Sequence, residues 1–187
     1  GELSSTIGGY KVSKIWADKA ENGKATWVKA AAAATAPTNV ELPSDAHVIG
    51  AVQRHFGSNA TMVCAAGGLP GELHKLWQQG SPGSYHMEYG FSCMGYEIAG
   101  GLGVKLAKPD EEVIVMVGDG SYMMMNSEIA TSIMMGAKLN IVVLDNRGYG
   151  CINRLQMATG SANFNNLLKD TWHKELPDLD FAAHAAS

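Results

Sequence analysis

The pattern of hydrophobic and polar residues changes near residue 40. From Leu42 onward, short continuous apolar runs alternate with longer segments of helix-forming residues. Strands are predicted at 61–66, 113–117 and 140–144, and helices at 47–56, 70–77, 91–107 and 122–137. The runs at 113–117 and 140–144 are typical of strands buried on both faces of a parallel sheet. The order of elements therefore predicts the α/β class, as a parallel-sheet three-layer α/β/α sandwich.

Turn and capping signals bound several of these elements. Ser44 is predicted to cap the helix at 47–56, and Gly57 to end it. Loops are predicted at 80–85 and at 155–170, the latter because its residues are small and polar. A last helix begins within 177–187 and the sequence stops there. We therefore expect an incomplete domain, cut from a longer protein at both ends and truncated at its C-terminal end.

The first 40 residues follow a different pattern. Residues 8–10 and 21–24 are rich in turn-forming residues, and the alanine run at 30–36 ends at Pro37. That run is too short to form a stable helix by itself. Residues 1–40 are therefore predicted to be a linker or the tail of a preceding domain, and 41–187 the main domain.

Composition narrows the functional class. The 187 residues carry 14 Lys and Arg against 18 Asp and Glu, a net charge of −4, which argues against nucleic-acid binding. The sequence shows no apolar stretch of the roughly 18 residues that a membrane span requires. Three cysteines without CxxC spacing argue against a zinc site or a disulfide framework, and predict a cytoplasmic setting. The low content of charged residues, 17%, indicates a surface covered by a partner.

Candidate chemistry follows two neighbouring predicted strands. Gly118-Asp119-Gly120 comes directly after one strand, and Asn146 follows the next. Ligands of open α/β sheets bind beyond the carboxyl ends of the strands, so these residues are expected to meet at one edge. The Asp119 carboxylate, the Asn146 amide oxygen and the Gly148 carbonyl form a set of hard oxygen ligands suited to Mg²⁺. Gly118 and Gly120 allow a phosphate to approach the backbone, and the helix expected after Ser121 offers N–H groups to an anion.

Alternative interpretations of this segment stay open at this point. Gly118 and Gly120 supply half of a dinucleotide-binding fingerprint, which would indicate a NAD-binding oxidoreductase domain. Met123 stands where that fingerprint requires its third glycine. A third possibility is that the segment is only a turn and that the chain is a fragment that binds nothing.

The spacing of these residues resembles the signature of thiamine-diphosphate-dependent enzymes, in which GDG is followed at this distance by two asparagines. Here 24 residues separate GDG from Asp145-Asn146, so the first asparagine is replaced by Asp145. The resemblance implies thiamine diphosphate as cofactor and Mg²⁺ held by Asp119, Asn146 and the Gly148 carbonyl. It also implies that the diphosphate lies along the following residues: Gly118, Gly120, Ser121, Gly150 and Cys151.

Upstream segments resemble the acetohydroxyacid synthase group. The stretch Glu88-Tyr89-Gly90-Phe91 is similar to the segment that supports the bent cofactor there, with Tyr89 at the position of a bulky apolar residue. The resemblance implies that the backbone of Met87 and Tyr89 meets the aminopyrimidine. A His-x-x-Trp stretch beginning at His74 is similar to one whose histidine lies near the diphosphate.

The runs at 64–77 and 85–97 resemble the trihydroxycyclohexane-1,2-dione hydrolase family of inositol catabolism. That family implies hydrolytic cleavage of a C–C bond in a cyclic 1,2-diketone substrate, to give a deoxyglucuronic acid. A 2-oxoacid decarboxylase or an acetohydroxyacid synthase-type enzyme is the alternative. In this superfamily the activating glutamate belongs to a separate pyrimidine-binding domain, so we expect no catalytic residue in this chain and no activity from the chain alone. The resemblance also implies a homodimer or homotetramer. Independently of it, the methionines at 123–125 and 134–135 are predicted to form part of the core or of an interface.

Overall fold

The structure is a computed structural model that describes residues 2–187. Its helices are α1 (Glu2–Thr6), α2 (Lys14–Ala34), α3 (Asp45–Phe56), α4 (Leu69–Leu76), α5 (Tyr96–Ala107), α6 (Asp119–Met124), α7 (Glu128–Met134), α8 (Gly150–Ala158) and α9 (Phe181–Ala186). Its strands are β1 (Thr61–Cys64), β2 (Tyr85–Met87), β3 (Val113–Gly118) and β4 (Asn140–Leu144), and a 3₁₀ turn covers Leu168–Asp170. Within residues 2–187, no helix combines the length and apolarity needed to cross a lipid bilayer.

The four strands form one parallel sheet in the order β2-β1-β3-β4. Met62 in the middle of β1 lies opposite Tyr85 on one side and Ile114 on the other. The chain runs outward from β1 to β2, then returns to lay down β3 and β4 on the other side of β1. The order of strands therefore reverses between β1 and β3, which is the place where open α/β sheets bind ligands.

Alternate residues of the central strands enter two separate cores. Met62, Cys64, Ile114 and Met116 pack against α3 and α4, which contribute the residues Ile49, Val52, Leu69, Leu73 and Leu76. On the other face, Val63, Val113, Val115 and Val117 pack against Ile98 of α5 and Tyr122 of α6. Because the central strands are buried on both faces, their sequences read as continuous apolar runs. The predicted three-layer α/β/α sandwich is confirmed.

Several predicted boundaries are confirmed. The Ser44 hydroxyl accepts a hydrogen bond from the His47 N–H (3.4 Å), and the His47 ring accepts one from the Ser44 N–H (3.2 Å), so that α3 begins in a capping box. Gly57 ends α3 with φ of +70°. Strand β4 lies at the predicted residues, and β3 extends by one residue to Gly118.

Two predicted helices differ from those in the structure, one in where it begins and one in being broken in the middle. The helix expected at 91–107 starts only at Tyr96, because the Glu88 carboxylate accepts hydrogen bonds from the N–H groups of Phe91 and Cys93 and closes a loop ahead of it. The helix expected at 122–137 is the pair α6 and α7. Met125 leaves the helical conformation there (φ −149°, ψ 77°) and packs its side chain on Gly95.

Other predictions are wrong in the outer parts of the sheet. The short strand β2 begins at Tyr85, the last residue of the loop predicted at 80–85, and was missed because three residues of mixed polarity carry little periodic signal. Strand β4 is half-buried rather than buried on both faces, because it lies at an edge of the sheet. The loop expected at 155–170 contains the end of α8 and the 3₁₀ turn, because good helix formers continue through residue 158.

The first 40 residues contain more helix than predicted. The turn expected at 8–10 is present, but α2 runs through 21–24, so the turn predicted there is wrong. Ser13 caps α2, and the alanine-rich and lysine-rich neighbours of Gly23 offset its cost of about 1 kcal/mol in a helix. The end of α2 is held by the main domain, since the Trp27 indole donates to the Lys75 carbonyl (3.3 Å) and Ala31 is buried. That residues 1–40 are a linker or a preceding domain's tail stays a prediction.

Replacing either of two glycines of α5 by alanine is expected to have opposite effects on stability, because only one of them contacts β3. A Cβ at Gly101 would overlap Val115 of β3, whereas one at Gly103 would meet open space. We expect Gly101→Ala to lower the free energy of unfolding by about 1–3 kcal/mol through overpacking. Gly103→Ala should raise it by about 0.5–1 kcal/mol through helix propensity. Urea unfolding of both variants checks this; equal effects would contradict the packing.

Candidate active site

A cleft lies where the order of strands reverses, at the carboxyl ends of β1, β3 and β4. It encloses about 130 Å³ and is formed by three loops and the starts of the helices that follow them. The sequence-predicted residues that line it are Gly118, Asp119, Gly120, Ser121, Asn146, Gly148, Gly150 and Cys151. The edge predicted from the two strand ends thus gathers the expected residues of the GDG and Asn146 segments, whereas His74, which was also expected near the diphosphate, lies outside the cleft.

Asp119 is the buried charge of the cleft, with 8% of its surface exposed. Its Oδ2 accepts a hydrogen bond from the Gly148 N–H (2.8 Å), and its Oδ1 is buried without a hydrogen-bond partner among residues 2–187. Burial raises the pKa of Asp119, the Gly148 bond opposes this, and the charge of Asp145 adds to it. A buried carboxylate with one oxygen left unpaired fits a bound cation, which would supply the missing interaction.

The backbone around Gly148 takes a form that needs glycine. Gly148 has φ of +140°, and a Cβ there would overlap the Asn166 carbonyl oxygen. The Tyr149 N–H donates to that same oxygen (2.7 Å), and the Leu168 N–H donates to the Arg147 carbonyl (2.9 Å). Residues 166–168 thereby hold the loop that presents Gly148 to Asp119.

Asn146 and Gly150 are adjacent in the cleft. Asn146 is exposed, and a Cβ at Gly150 would come within 3.1 Å of its Oδ1. Glycine at this position therefore leaves the amide group of Asn146 free to turn toward Asp119 or toward a ligand. Position 120 also requires glycine, because a Cβ there would lie 2.7 Å from the Tyr149 ring.

Asp145 is the residue that departs from the signature described above, and the structure shows what holds it. Its Oδ1 accepts a hydrogen bond from the Arg147 N–H (2.8 Å), and its Oδ2 lies 3.3 Å from Arg147 Nε. Arg147 also reaches Asp178, at 3.2 Å. The extra negative charge beside Asp119 is thus paired with a guanidinium from the same loop.

Among residues 2–187, three helices begin at the cleft without a side-chain cap. Helix α4 begins after Gly68, α6 after Gly118 and α8 after Tyr149, and none has a side-chain hydrogen bond at its N-cap. All three N-cap residues line the cleft. Free N–H groups at the start of a helix favour a bound anion. The cleft therefore combines a buried carboxylate at Asp119 with helix starts of the kind that favour an anion.

His74, Met87 and Tyr89 do not line this cleft. They lie around a second depression together with Pro70 and Gly71. Helix α4 contributes to both, with its first residues in the cleft and its following turns in the depression. Tyr89 is 59% exposed, so its predicted support of the cofactor ring stays a prediction.

Sequence reasoning missed several residues of the cleft, among them Asp45, Gly68, Met94 and Arg154. Gly67-Gly68 follows the apolar run of β1 as GDG follows that of β3, which is a signal that points to the same edge of the sheet. Arg154 has no such signal. It follows Cys151 by three residues and reaches the cleft only because α8 is helical.

The methionine and cysteine side chains of residues 2–187 do not form a metal cluster. The methionines at 123–125 and 134–135 are 49–86% exposed and are outside the cores of the described chain. All three cysteines are free thiols. Across residues 2–187, no group of three or more His, Cys, Asp or Glu side chains is arranged to hold a metal ion.

Comparison with known families identifies the class of domain. Residues 65–187 match the family described as thiamine pyrophosphate enzyme, C-terminal TPP binding domain. The match covers more than half of the chain, so the chain belongs to this family. The family that the GDG signature indicated is confirmed, and the dinucleotide-binding alternative is set aside.

Two similar proteins carry a more particular name. Those of Bacillus thuringiensis (strain Al Hakam) and Geobacillus thermodenitrificans (strain NG80-2) are both named 3D-(3,5/4)-trihydroxycyclohexane-1,2-dione hydrolase. The first is 48% identical over 145 residues, which is 74% of this chain and 22% of the relative. The second is 55% identical over 117 residues, 63% of this chain and 18% of the relative. The resemblance to these hydrolases is confirmed, and the chain spans about a fifth of their length.

Because the buried Oδ1 of Asp119 has no partner among residues 2–187, we expect Asp119→Asn to stabilise the chain when no metal is added. The pKa of Asp119 is raised in the folded state, so the fold favours the protonated carboxyl group. The stability of the fold is therefore highest, as far as this group is concerned, at low pH, and it falls as the pH rises through the raised pKa. At pH 7 the substitution should therefore add about 0.5–2 kcal/mol to the free energy of unfolding, as relief of a functional site commonly does.

Urea unfolding at pH 7 and at pH 3 measures this gain, which should shrink at the lower pH. Asp110→Asn is the matched control, because Asp110 is exposed in the turn before β3, at the opposite edge of the sheet. An equal gain in both variants, or a loss of stability in Asp119→Asn, would contradict the expected cost of the buried charge.

Proposed function

We propose that the cleft binds thiamine diphosphate together with Mg²⁺. The observation that carries this is the buried, unpaired Oδ1 of Asp119, which lies in the same cleft as the uncapped starts of α4 and α8. A divalent cation meets the carboxylate, and a diphosphate meets both the cation and the helix N–H groups. The family of the chain supports the choice of thiamine diphosphate as the molecule that carries this anion.

The ligand set proposed for Mg²⁺ is Asp119, Asn146 and the Gly148 carbonyl. The Gly148 N–H is used by Asp119, whereas its carbonyl accepts no hydrogen bond within residues 2–187. That carbonyl is therefore available to a metal. The remaining contacts proposed for the diphosphate are with Gly118, Gly120, Ser121, Gly150 and Cys151, where glycine or free N–H groups line the cleft.

The reaction proposed for the whole protein is hydrolytic cleavage of a C–C bond in a cyclic 1,2-diketone, as the names of the relatives suggest. When bound, thiamine diphosphate supplies an electron sink for a carbon–carbon bond that breaks beside a carbonyl group. The chain's own part is to fix the charged end of the cofactor and to exclude water from Asp119. His74, Met87 and Tyr89 are proposed to face the ring end, since their depression adjoins α4.

The remainder of the site is proposed to come from outside these 187 residues. We infer that a pyrimidine-binding domain supplies the activating glutamate, which is consistent with the chain spanning 22% of a relative. The exposed methionines at 123–125 and 134–135 support a homodimer or homotetramer in which they are covered. The cytoplasmic setting predicted from three unpaired cysteines stays a prediction.

Calorimetric titration of this chain with thiamine diphosphate tests the cofactor. Binding should require Mg²⁺, and Asp119→Ala or Asn146→Ala should remove that requirement along with most of the affinity, because each removes a metal ligand. Asp110→Ala should bind as the unsubstituted chain does. Binding that is equally strong with a chelator present would contradict the metal assignment, and binding of NADH instead would contradict the cofactor.

Turnover should separate the chain from the whole enzyme. The 187-residue chain is expected to show no hydrolysis of the cyclic diketone, since no residue is assigned to activate the aminopyrimidine. Full-length protein should open the diketone and should not decarboxylate a 2-oxoacid such as pyruvate. Product analysis by NMR measures both reactions; turnover by the isolated chain, or preference for the 2-oxoacid, would count against this assignment.

A further inference from the structure

Arg154 is an exposed cation at the cleft for which residues 2–187 supply no partner. The chain has three arginines. Arg54 donates to the Thr35 carbonyl, and Arg147 is paired with Asp145 and Asp178. Among residues 2–187, the Arg154 guanidinium has neither a hydrogen bond nor an ion pair. In the part of the chain that the structure describes, it is the only Lys or Arg that lines the cleft.

The position of the guanidinium is defined by Gly68, the residue at which α4 begins. A Cβ at Gly68 would overlap Arg154 Nη2 and lie 3.8 Å from Cys151 Cβ. Cys151 and Arg154 are one turn apart on α8 and face Gly68 together. The absence of a side chain at Gly68 thus leaves the space that the guanidinium occupies, beside the start of α4, which has no side-chain cap.

We propose that Arg154 binds the diphosphate of the cofactor directly, as a second cation beside the metal at Asp119. The inference rests on the proposed function and extends it to a residue outside the metal and glycine signature. A planar guanidinium binds two phosphate oxygens at once, which a lysine ammonium does not. Asp119 with Mg²⁺ neutralises part of the diphosphate charge, and Arg154 neutralises more of it from the α8 side.

Inorganic diphosphate with Mg²⁺, and thiamine diphosphate with Mg²⁺, are the two probes, titrated calorimetrically into the 187-residue chain. Arg154→Met should weaken the binding of both by about ten-fold or more, the usual size for a lost charged hydrogen bond. Arg154→Lys should recover part of the loss, and Arg154→Met should also reduce the dependence of affinity on salt.

Gly68→Ala provides a test that leaves the charge in the chain. Gly68 has φ of −79°, so alanine suits its backbone, and the added Cβ displaces only the flexible end of Arg154. This variant should weaken diphosphate binding as well. Lys169→Met is the matched control, because Lys169 is exposed and lies outside the cleft. Thermal unfolding verifies that each variant is folded.

The outcomes separate the two proposals. Equal affinity of the unsubstituted chain and Arg154→Met for both probes would overturn the inference about Arg154 and leave the proposed function standing. Weaker binding of thiamine diphosphate alone, with diphosphate unaffected, would also overturn it. If the unsubstituted chain binds neither probe, both proposals fail together.

Discussion

The site depends on one carboxyl group that the fold keeps away from water. Asp119 directly follows β3, whose residues 113–117 are buried, so the charge is placed at the edge of the sheet by the core of the fold. Among residues 2–187, its Oδ2 accepts a hydrogen bond from the Gly148 N–H, and its Oδ1 has no partner. A buried charge of this kind costs folding free energy unless another positive group joins it. The loops around Asp119 form the cleft in which such a group can bind.

Charges around the cleft are arranged in three different ways. Asp145 is neutralised within its own loop by Arg147. Within residues 2–187, Oδ1 of Asp119 has no hydrogen-bond partner and the exposed Arg154 has no ion-pair partner. A carboxylate oxygen and a guanidinium that stay apart in the same cleft, with uncapped helix starts beside them, are suited to a ligand that carries both signs of charge. A diphosphate with its divalent cation has that combination of charges.

Sequence patterns could predict the strands at the centre of the molecule because the apolar run of each strand is a local feature of the sequence. Continuous apolar runs identified β1, β3 and β4, and the spacing of Asp119 and Asn146 along one strand–helix–strand unit placed both at one edge. The patterns failed where distant residues decide the conformation. Residues 166–168 shape the Gly148 loop, and Met125 breaks a helix by packing on Gly95. Arg154 could not be predicted to face Gly68, because that contact joins helix α8 to the start of α4, which follows a different strand.

The hydrogen bond between Gly148 and Asp119 makes one amide proton a reporter on the cleft. The Gly148 N–H donates to the Asp119 carboxylate, and the loop that carries it is held by two backbone hydrogen bonds to residues 166–168. The strands are held by a separate ladder of backbone hydrogen bonds that joins β1, β3 and β4. The Gly148 amide proton is therefore protected from exchange with solvent only while the cleft keeps this form. Its exchange rate reports the opening of the cleft separately from the unfolding of the sheet.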